Sequence, residues 1–301
     1  MIRSIVKQLV EVSLGSRAAA GVLSGRTRGM DLVLAYHNVV PPGERAEGSQ
    51  ALHLPSQTFL EQMEVAGEHH ELVSLRDLLS EPGGSRSRIA ITFDDAYGGV
   101  INHALPELAR LGIPATVFVA PAFVDGDAFW WDRISPPHSA GPDDRIRDHA
   151  LWALKGRQNE IEAWAHSEGL PWREMPDHAR CASISALQEH QLSRVDFGSH
   201  TWSHPNLAAL DETEARDELA RPREWLTESG LPLCDAIAYP YGLQNVATQR
   251  ISGDLGYPAG LLIEGGWSRQ GEREQLAVPR INVPSGLSTG GFRLRLSRLL
   301  S

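Results

Sequence analysis

Short apolar stretches recur along the chain, separated by longer segments of mixed polarity. They are DLVLAY (31–36), ELVSL (71–75), RIAITF (88–93), ATVFVA (115–120), VDFGSH (195–200), DAIAYP (235–240), PAGLLI (258–263) and LAVPRINV (276–283). Their length and branched side chains predict strands, and their near-continuous hydrophobicity predicts cover on both faces. Between them, residues 57–68, 98–111, 211–229 and 243–255 carry helical spacing, as in Ile101, Leu105, Leu108 and Leu111. Alternating β and α units imply an α/β fold with a parallel sheet, and seven or eight strands favour a closed or partly closed barrel. The alternation fails between about 124 and 193. There a polar, His-rich sequence surrounds one long helical stretch at 145–168, which predicts a mainly helical insertion on a loop. The chain thus divides into an N-terminal helical segment (1–30), a barrel (31–285) with that insertion, and a C-terminal helix (286–301).

Composition narrows the functional classes. With 28 Lys and Arg against 38 Asp and Glu, the 301 residues carry a net charge of −10. That balance opposes sequence-independent nucleic-acid binding, which needs a basic face, and it opposes docking on anionic lipid equally. Cys181 and Cys234 stand far apart in sequence, so neither a disulfide framework nor a cysteine zinc site is expected. Near the N-terminus, Arg3 and Lys7 accompany an apolar stretch that Glu11 interrupts, which argues against a secretion signal. Ile2, Ile5, Val6, Leu9 and Val10 recur at helical spacing and suit an amphipathic helix packed on the body or resting at a membrane surface. No window approaches 18 apolar residues, so no integral span is expected. A cytoplasmic protein, or one peripheral at the membrane, follows; composition leaves its oligomeric state open.

Three segments place polar residues where a strand ends, the position at which barrel enzymes build their sites. IAITFDDAYGG runs an apolar strand into Asp94 and Asp95, which point in different directions if the chain stays extended, so one carboxylate suits a metal and the other a water. DFGSHTWSHPNL supplies His200 and His204, with Pro205 biasing His204 away from helical angles and toward a loop. A carboxylate with two histidines forms a facial triad that leaves positions open for water and substrate. AIAYPYG sets Tyr239, Pro240, Tyr241 and Gly242 in a rigid turn whose backbone N–H groups aim into the same mouth.

In order and spacing, these segments resemble the first three signature motifs of the polysaccharide deacetylases, the NodB-like carbohydrate esterases. The resemblance covers most of residues 31–285 and implies a distorted (β/α) barrel of about seven strands. It implies Asp94 as general base, Asp95, His200 and His204 as ligands of a divalent metal with zinc foremost, and the Tyr241 N–H as oxyanion donor. Two features depart from the family pattern. The Arg usual before the third motif is Ala238 here, and Arg280 in VPRINV is the candidate substitute. The late histidine motif is missing, since His204 is the last histidine of the chain. Deacetylases of poly-N-acetylglucosamine-type exopolysaccharides are similar in a permuted form, with the acid histidine on an N-terminal strand, which nominates His37. Contacts to a sugar are expected from Trp131 and Asp132 in AFWWDR, from Trp202 and Tyr239, and from Trp267 near the place of the fourth motif. The implied activity is metal-dependent hydrolysis of the acetamido group of an N-acetylated glycan, polymeric or lipid-linked. Two alternatives stand beside it: an amidohydrolase of cyclic ureides or imides on the same scaffold, and a non-catalytic glycan-binding homologue.

Overall fold

The computed structural model describes residues 24–80, 83–190 and 194–298, so the expected N-terminal helix lies, over residues 1–23, outside them. The strands are β1 (Met30–Tyr36), β2 (Asn38–Val40), β3 (His53–Pro55), β4 (Glu71–Val73), β5 (Arg88–Phe93), β6 (Ala115–Val119), β7 (Val195–Ser199), β8 (Leu233–Ala238), β9 (Ala259–Gly265), β10 (Ser268–Arg269) and β11 (Val278–Asn282). In the order β1-β11-β9-β8-β7-β6-β5 they pair in parallel, and β5 closes back on β1, giving a seven-stranded barrel flanked by helices. β4 extends β5 in parallel, β10 runs antiparallel to β1, and β2 with β3 forms a separate small sheet. β2, β3 and β10 are too short to show a pattern in sequence.

Closure at β1 positions the site. Every residue of β1 and β5 is buried, and each Val, Leu or Ile so covered stabilises the fold by roughly 1.5–3 kcal/mol. Their register runs from Asp31 opposite Arg88 to Tyr36 opposite Phe93, so both strands end at one level. There the Asp94 N–H donates to the Tyr36 carbonyl at 2.9 Å, and His37 and Asp94 leave the barrel side by side. β11 flanks β1 on its other side, which brings residues from both ends of the chain to one rim.

Two features depart from the sequence pattern. The expected long helix at 145–168 is broken into Asp144–Asp148, His149–Ala153 and Gln158–Ser167. Lys155 and Gly156 both adopt positive φ at the break. A Cβ at Gly156 would lie 2.9 Å from the Asn206 nitrogen, so the chain must bend where the insertion meets the loop after β7. Beyond β9, Gly265 and Gly266 (φ 122° and 90°) reverse the chain and carry it toward the start of β1.

The opposite end of the barrel is sealed by charge. Asp31 accepts from Arg88 at 2.8 and 2.9 Å and also from Arg273, all three side chains being largely buried. Removing one member of such a cluster leaves the others uncompensated. Asp31→Ala is expected to lower unfolding free energy by about 3–5 kcal/mol, read as a lower denaturation midpoint in urea; an unchanged midpoint would contradict this role.

Candidate active site

Asp94 and Asp95 follow β5 directly, and the backbone turns sharply between them. Asp95 and Ala96 hold φ of 73° and 54°, as do Thr201 (65°), His204 (56°) and Tyr241 (57°) on the loops after β7 and β8. Non-glycine residues rarely occupy this region, and such strain persists only where surrounding contacts enforce it. Its concentration on three loops at one rim marks that rim as a built site.

Asp94 points at Arg280. The guanidinium donates to both carboxylate oxygens at 2.8 Å, the bidentate geometry of a strong charge-assisted pair. Arg280 is fully buried on β11 and donates further to the Leu262 carbonyl at 2.6 Å and to Thr92 Oγ1 at 3.3 Å. Burial alone would raise the Asp94 carboxyl, but Arg280 and His200 together hold it below its ordinary value. Ala238, where the family usually carries Arg, is a small buried residue of β8.

Asp95 points the other way, into a pair of imidazoles. Its Oδ1 lies 3.5 Å from His200 Nε2 and 3.2 Å from His204 Nε2, and the two nitrogens are 3.1 Å apart. His200 Nδ1 sits 2.8 Å from the Ala238 carbonyl; a donor there leaves a lone pair on Nε2 facing the cluster. Asp95 Oδ1 and His204 Nδ1 are buried without a hydrogen-bond partner. Burial depresses both imidazoles, yet the two aspartates lift His200 above its ordinary value, while His200 helps to hold His204 below. Three ligand atoms thus converge within 4.8 Å of one another in one buried spot. Such a donor set fits a divalent cation of the nitrogen- and oxygen-binding kind.

The second loop is held from outside. Ser203 donates through N–H and Oγ to Glu218 at 2.8 and 2.7 Å, and the His204 N–H donates to Thr201 Oγ1 at 3.0 Å. On the third loop, the Gly242 and Leu243 N–H groups turn back onto Tyr239 and Pro240. Nothing among the described residues accepts from the Tyr241 N–H. The Tyr241 ring stands 4.6 Å from His204, edge to face, and its hydroxyl accepts from Trp130 Nε1 at 2.9 Å. His37, half-buried, lies close enough for Asp94 and Asp95 to raise its imidazole, although burial wins and lowers it.

Of the residues expected to contact a sugar, the structure brings only Trp131 to the histidines. Its ring stacks on Phe129 at 4.7 Å and lies 4.9 Å from His204. Asp132 faces away and is fully buried, accepting from the Ser49 N–H at 2.8 Å and from the Tyr97 hydroxyl at 2.7 Å, with His53 Nε2 at 2.9 Å. It has no free face for a sugar. Tyr97 also accepts from Trp131 Nε1 at 2.9 Å, so this buried chain anchors the indole. Tyr239 turns into a core beside Leu207 and Ile251, donating to the Leu276 carbonyl at 3.2 Å, because strand residues two apart share a face until the positive φ of Tyr241 redirects the chain. Trp202 lies under the Arg221 guanidinium at 3.9 Å, against the helix Glu212–Glu228. Trp267 is carried past the Gly265-Gly266 reversal to His70, 5.3 Å between ring centroids and away from the histidine pair. Tyr97 and His53 were not singled out in sequence. Tyr97, three residues after Asp94, was the one with a signal of position.

The polysaccharide deacetylase family model matches residues 82–260. Among solved structures, the Streptococcus pyogenes deacetylase PplD, in complex with acetate, superposes with a TM-score of 0.60 at 18% identity, covering 90% of this chain and 99% of that one. IcaB from Ammonifex degensii gives 0.61 at 20% identity, with 89% and 97% covered. The deacetylase domain of BpsB from Bordetella bronchiseptica gives 0.55 at 18%, with 85% and 96% covered. At these identities the likeness establishes a shared fold. His37 and Arg280 both fall outside the matched span and reach the rim only through barrel closure.

Ionised Asp94 contributes stability above the unfolded carboxyl pKa of about 3.9, and that contribution is lost as pH falls through its lower folded value. Arg280→Met removes the main opposition to burial, so the folded carboxyl moves upward. The stability difference between wild type and variant is expected to widen as pH rises from 3 toward 7 in urea unfolding. A difference independent of pH would show that Arg280 does not set the charge of Asp94.

Proposed function

Because the chain belongs to the polysaccharide deacetylase family, we propose that its hydrolase activity removes the acetyl group from the nitrogen of an N-acetylated sugar in a metal-dependent reaction. The observation that carries this reading is the division of labour between adjacent aspartates. Asp94 is paired with Arg280, and Asp95 faces His200 and His204.

Asp95, His200 and His204 would hold the divalent cation, with zinc the best match to an imidazole-rich set. Once bound, such an ion acts as a Lewis acid toward the acyl oxygen and lowers the pKa of water. The chain supplies the rest. Asp94, kept ionised by Arg280, accepts the proton of the attacking water, a role worth roughly 10²–10⁴-fold. As the acyl carbon becomes tetrahedral, its oxygen takes up negative charge and the unspent Tyr241 N–H donates to it; loss of one such donor typically costs about 10²–10³ in rate. His37, level with Asp94 across the β1–β5 pair, hands a proton to the departing nitrogen. Its lowered affinity for protons makes the charged imidazole a ready acid. The C–N bond breaks to give acetate and a free amine. Trp131 offers an apolar wall to the sugar ring beside His204. The match to the polysaccharide deacetylase family model supports a glycan substrate.

The test is acetate release from N-acetylglucosamine oligomers by the purified chain, with and without a chelator. Release that stops with chelator and returns on adding zinc is expected. Undiminished release in chelator would end the metal mechanism, and absence of release from every N-acetylated glycan would end the substrate assignment.

A further inference from the structure

The negative charge of this chain is distributed unevenly. Its first 28 residues hold Arg3, Lys7, Arg17, Arg26 and Arg28 against a lone Glu11, a net +4, so the remaining residues carry −14 to give the overall −10. Arg26 and Arg28 stand at the end of the barrel where β1 begins. With Arg269 and Arg298 they line a cavity of about 290 Å³ that contains one carboxylate, Glu272. All four arginines are exposed, and among the described residues none of them has an ion-pair partner. The Arg298 guanidinium donates to the Met30 sulfur at 3.1 Å.

Four guanidiniums in one concavity repel one another, and the chain does little to offset this. The preceding sequence, residues 1–23, carries Arg3, Lys7 and Arg17 against Glu11 and is itself net positive. Planar guanidiniums match phosphate oxygens two at a time. Next to the cavity in sequence is the stretch whose Ile2, Ile5, Val6, Leu9 and Val10 recur at helical spacing. Basic residues beside an amphipathic stretch are the combination that holds proteins at anionic bilayers.

We propose that this end of the barrel docks on an anionic phospholipid surface through Arg26, Arg28, Arg269 and Arg298. The acidic remainder is repelled by the same surface, so the uneven charge orients the molecule as well as attracting it. Arg269 lies opposite Met30 at the start of β1, while His37 follows the end of that strand. At about 3.3 Å per residue, the length of β1 holds the catalytic rim roughly 20 Å beyond the docked end, facing away from the bilayer. A glycan strand extending from the membrane suits that orientation better than a sugar lying at the lipid headgroups. The overall charge of −10, which on its own argues against lipid docking, conceals this local reversal.

Co-sedimentation of the full chain with vesicles tests the proposal, comparing phosphatidylcholine alone with phosphatidylcholine containing phosphatidylglycerol. Binding is expected only to the anionic vesicles, weakening as sodium chloride is added. Replacing Arg26, Arg28, Arg269 and Arg298 by Ala should weaken it by about fivefold per arginine, with thermal unfolding unchanged as the control for folding. Equal binding to both vesicle types, no binding to either, or unaltered binding by the quadruple variant would overturn the proposal. So would displacement by inorganic phosphate beyond that caused by sodium chloride of equal ionic strength, which would assign the cavity to a free phosphate.

Discussion

The ion pair between Arg280 and Asp94 is the constraint around which the rim is organised. A carboxylate that is 2% exposed is costly to keep ionised, and the cost falls only when a partner meets both oxygens in good geometry. Arg280 does so from β11, across β1, with its remaining donors spent on Leu262 and Thr92. Thr92 in turn donates to the Leu34 carbonyl at 2.8 Å, tying the pair to the strand that closes the barrel. Without closure at β1, Arg280 and Asp94 would belong to distant parts of the sheet. The chemistry of the rim therefore depends on the same strand contacts that complete the fold.

A second constraint is the unpaired character of the neighbouring cluster. Asp95, His200 and His204 are buried and tightly grouped, yet Asp95 Oδ1 and His204 Nδ1 find no hydrogen-bond partner. Buried polar groups are rarely left so. The loops that carry them are strained at Asp95, Thr201 and His204, and they are held by Glu218, by the packing of Gly156 on Asn206, and by the aromatic wall of Phe129, Trp131 and Tyr241. The buried Asp132–Tyr97 link serves that wall. Its value lies in orientation, since Tyr97 holds the Trp131 Nε1 while the ring faces His204.

Much of the architecture was legible in sequence because burial on both faces leaves an unbroken apolar signature. DLVLAY, RIAITF and ATVFVA correspond to β1, β5 and β6 almost residue for residue. The break in the helical stretch at 145–168 was hidden, because its cause is contact with a loop fifty residues away. At the site, the position of Asp94, Asp95, His200 and His204 at strand ends was readable, but the direction of neighbouring side chains was not. Tyr239 and Tyr241 differ by two residues and face opposite environments through one left-handed dihedral. Asp132 carried every mark of an exposed polar residue beside tryptophans until His53, from a strand of three residues, covered it. Trp267 depended on a reversal at two glycines whose direction no periodicity encodes.

The separation of roles between Asp94 and Asp95 is most directly tested by purifying Asp94→Asn and Asp95→Asn and measuring, in each, bound metal and acetate release together. Asp94→Asn is expected to retain metal and lose turnover, whereas Asp95→Asn is expected to lose both. Loss of metal from Asp94→Asn, or turnover that survives in it, would contradict the assignment.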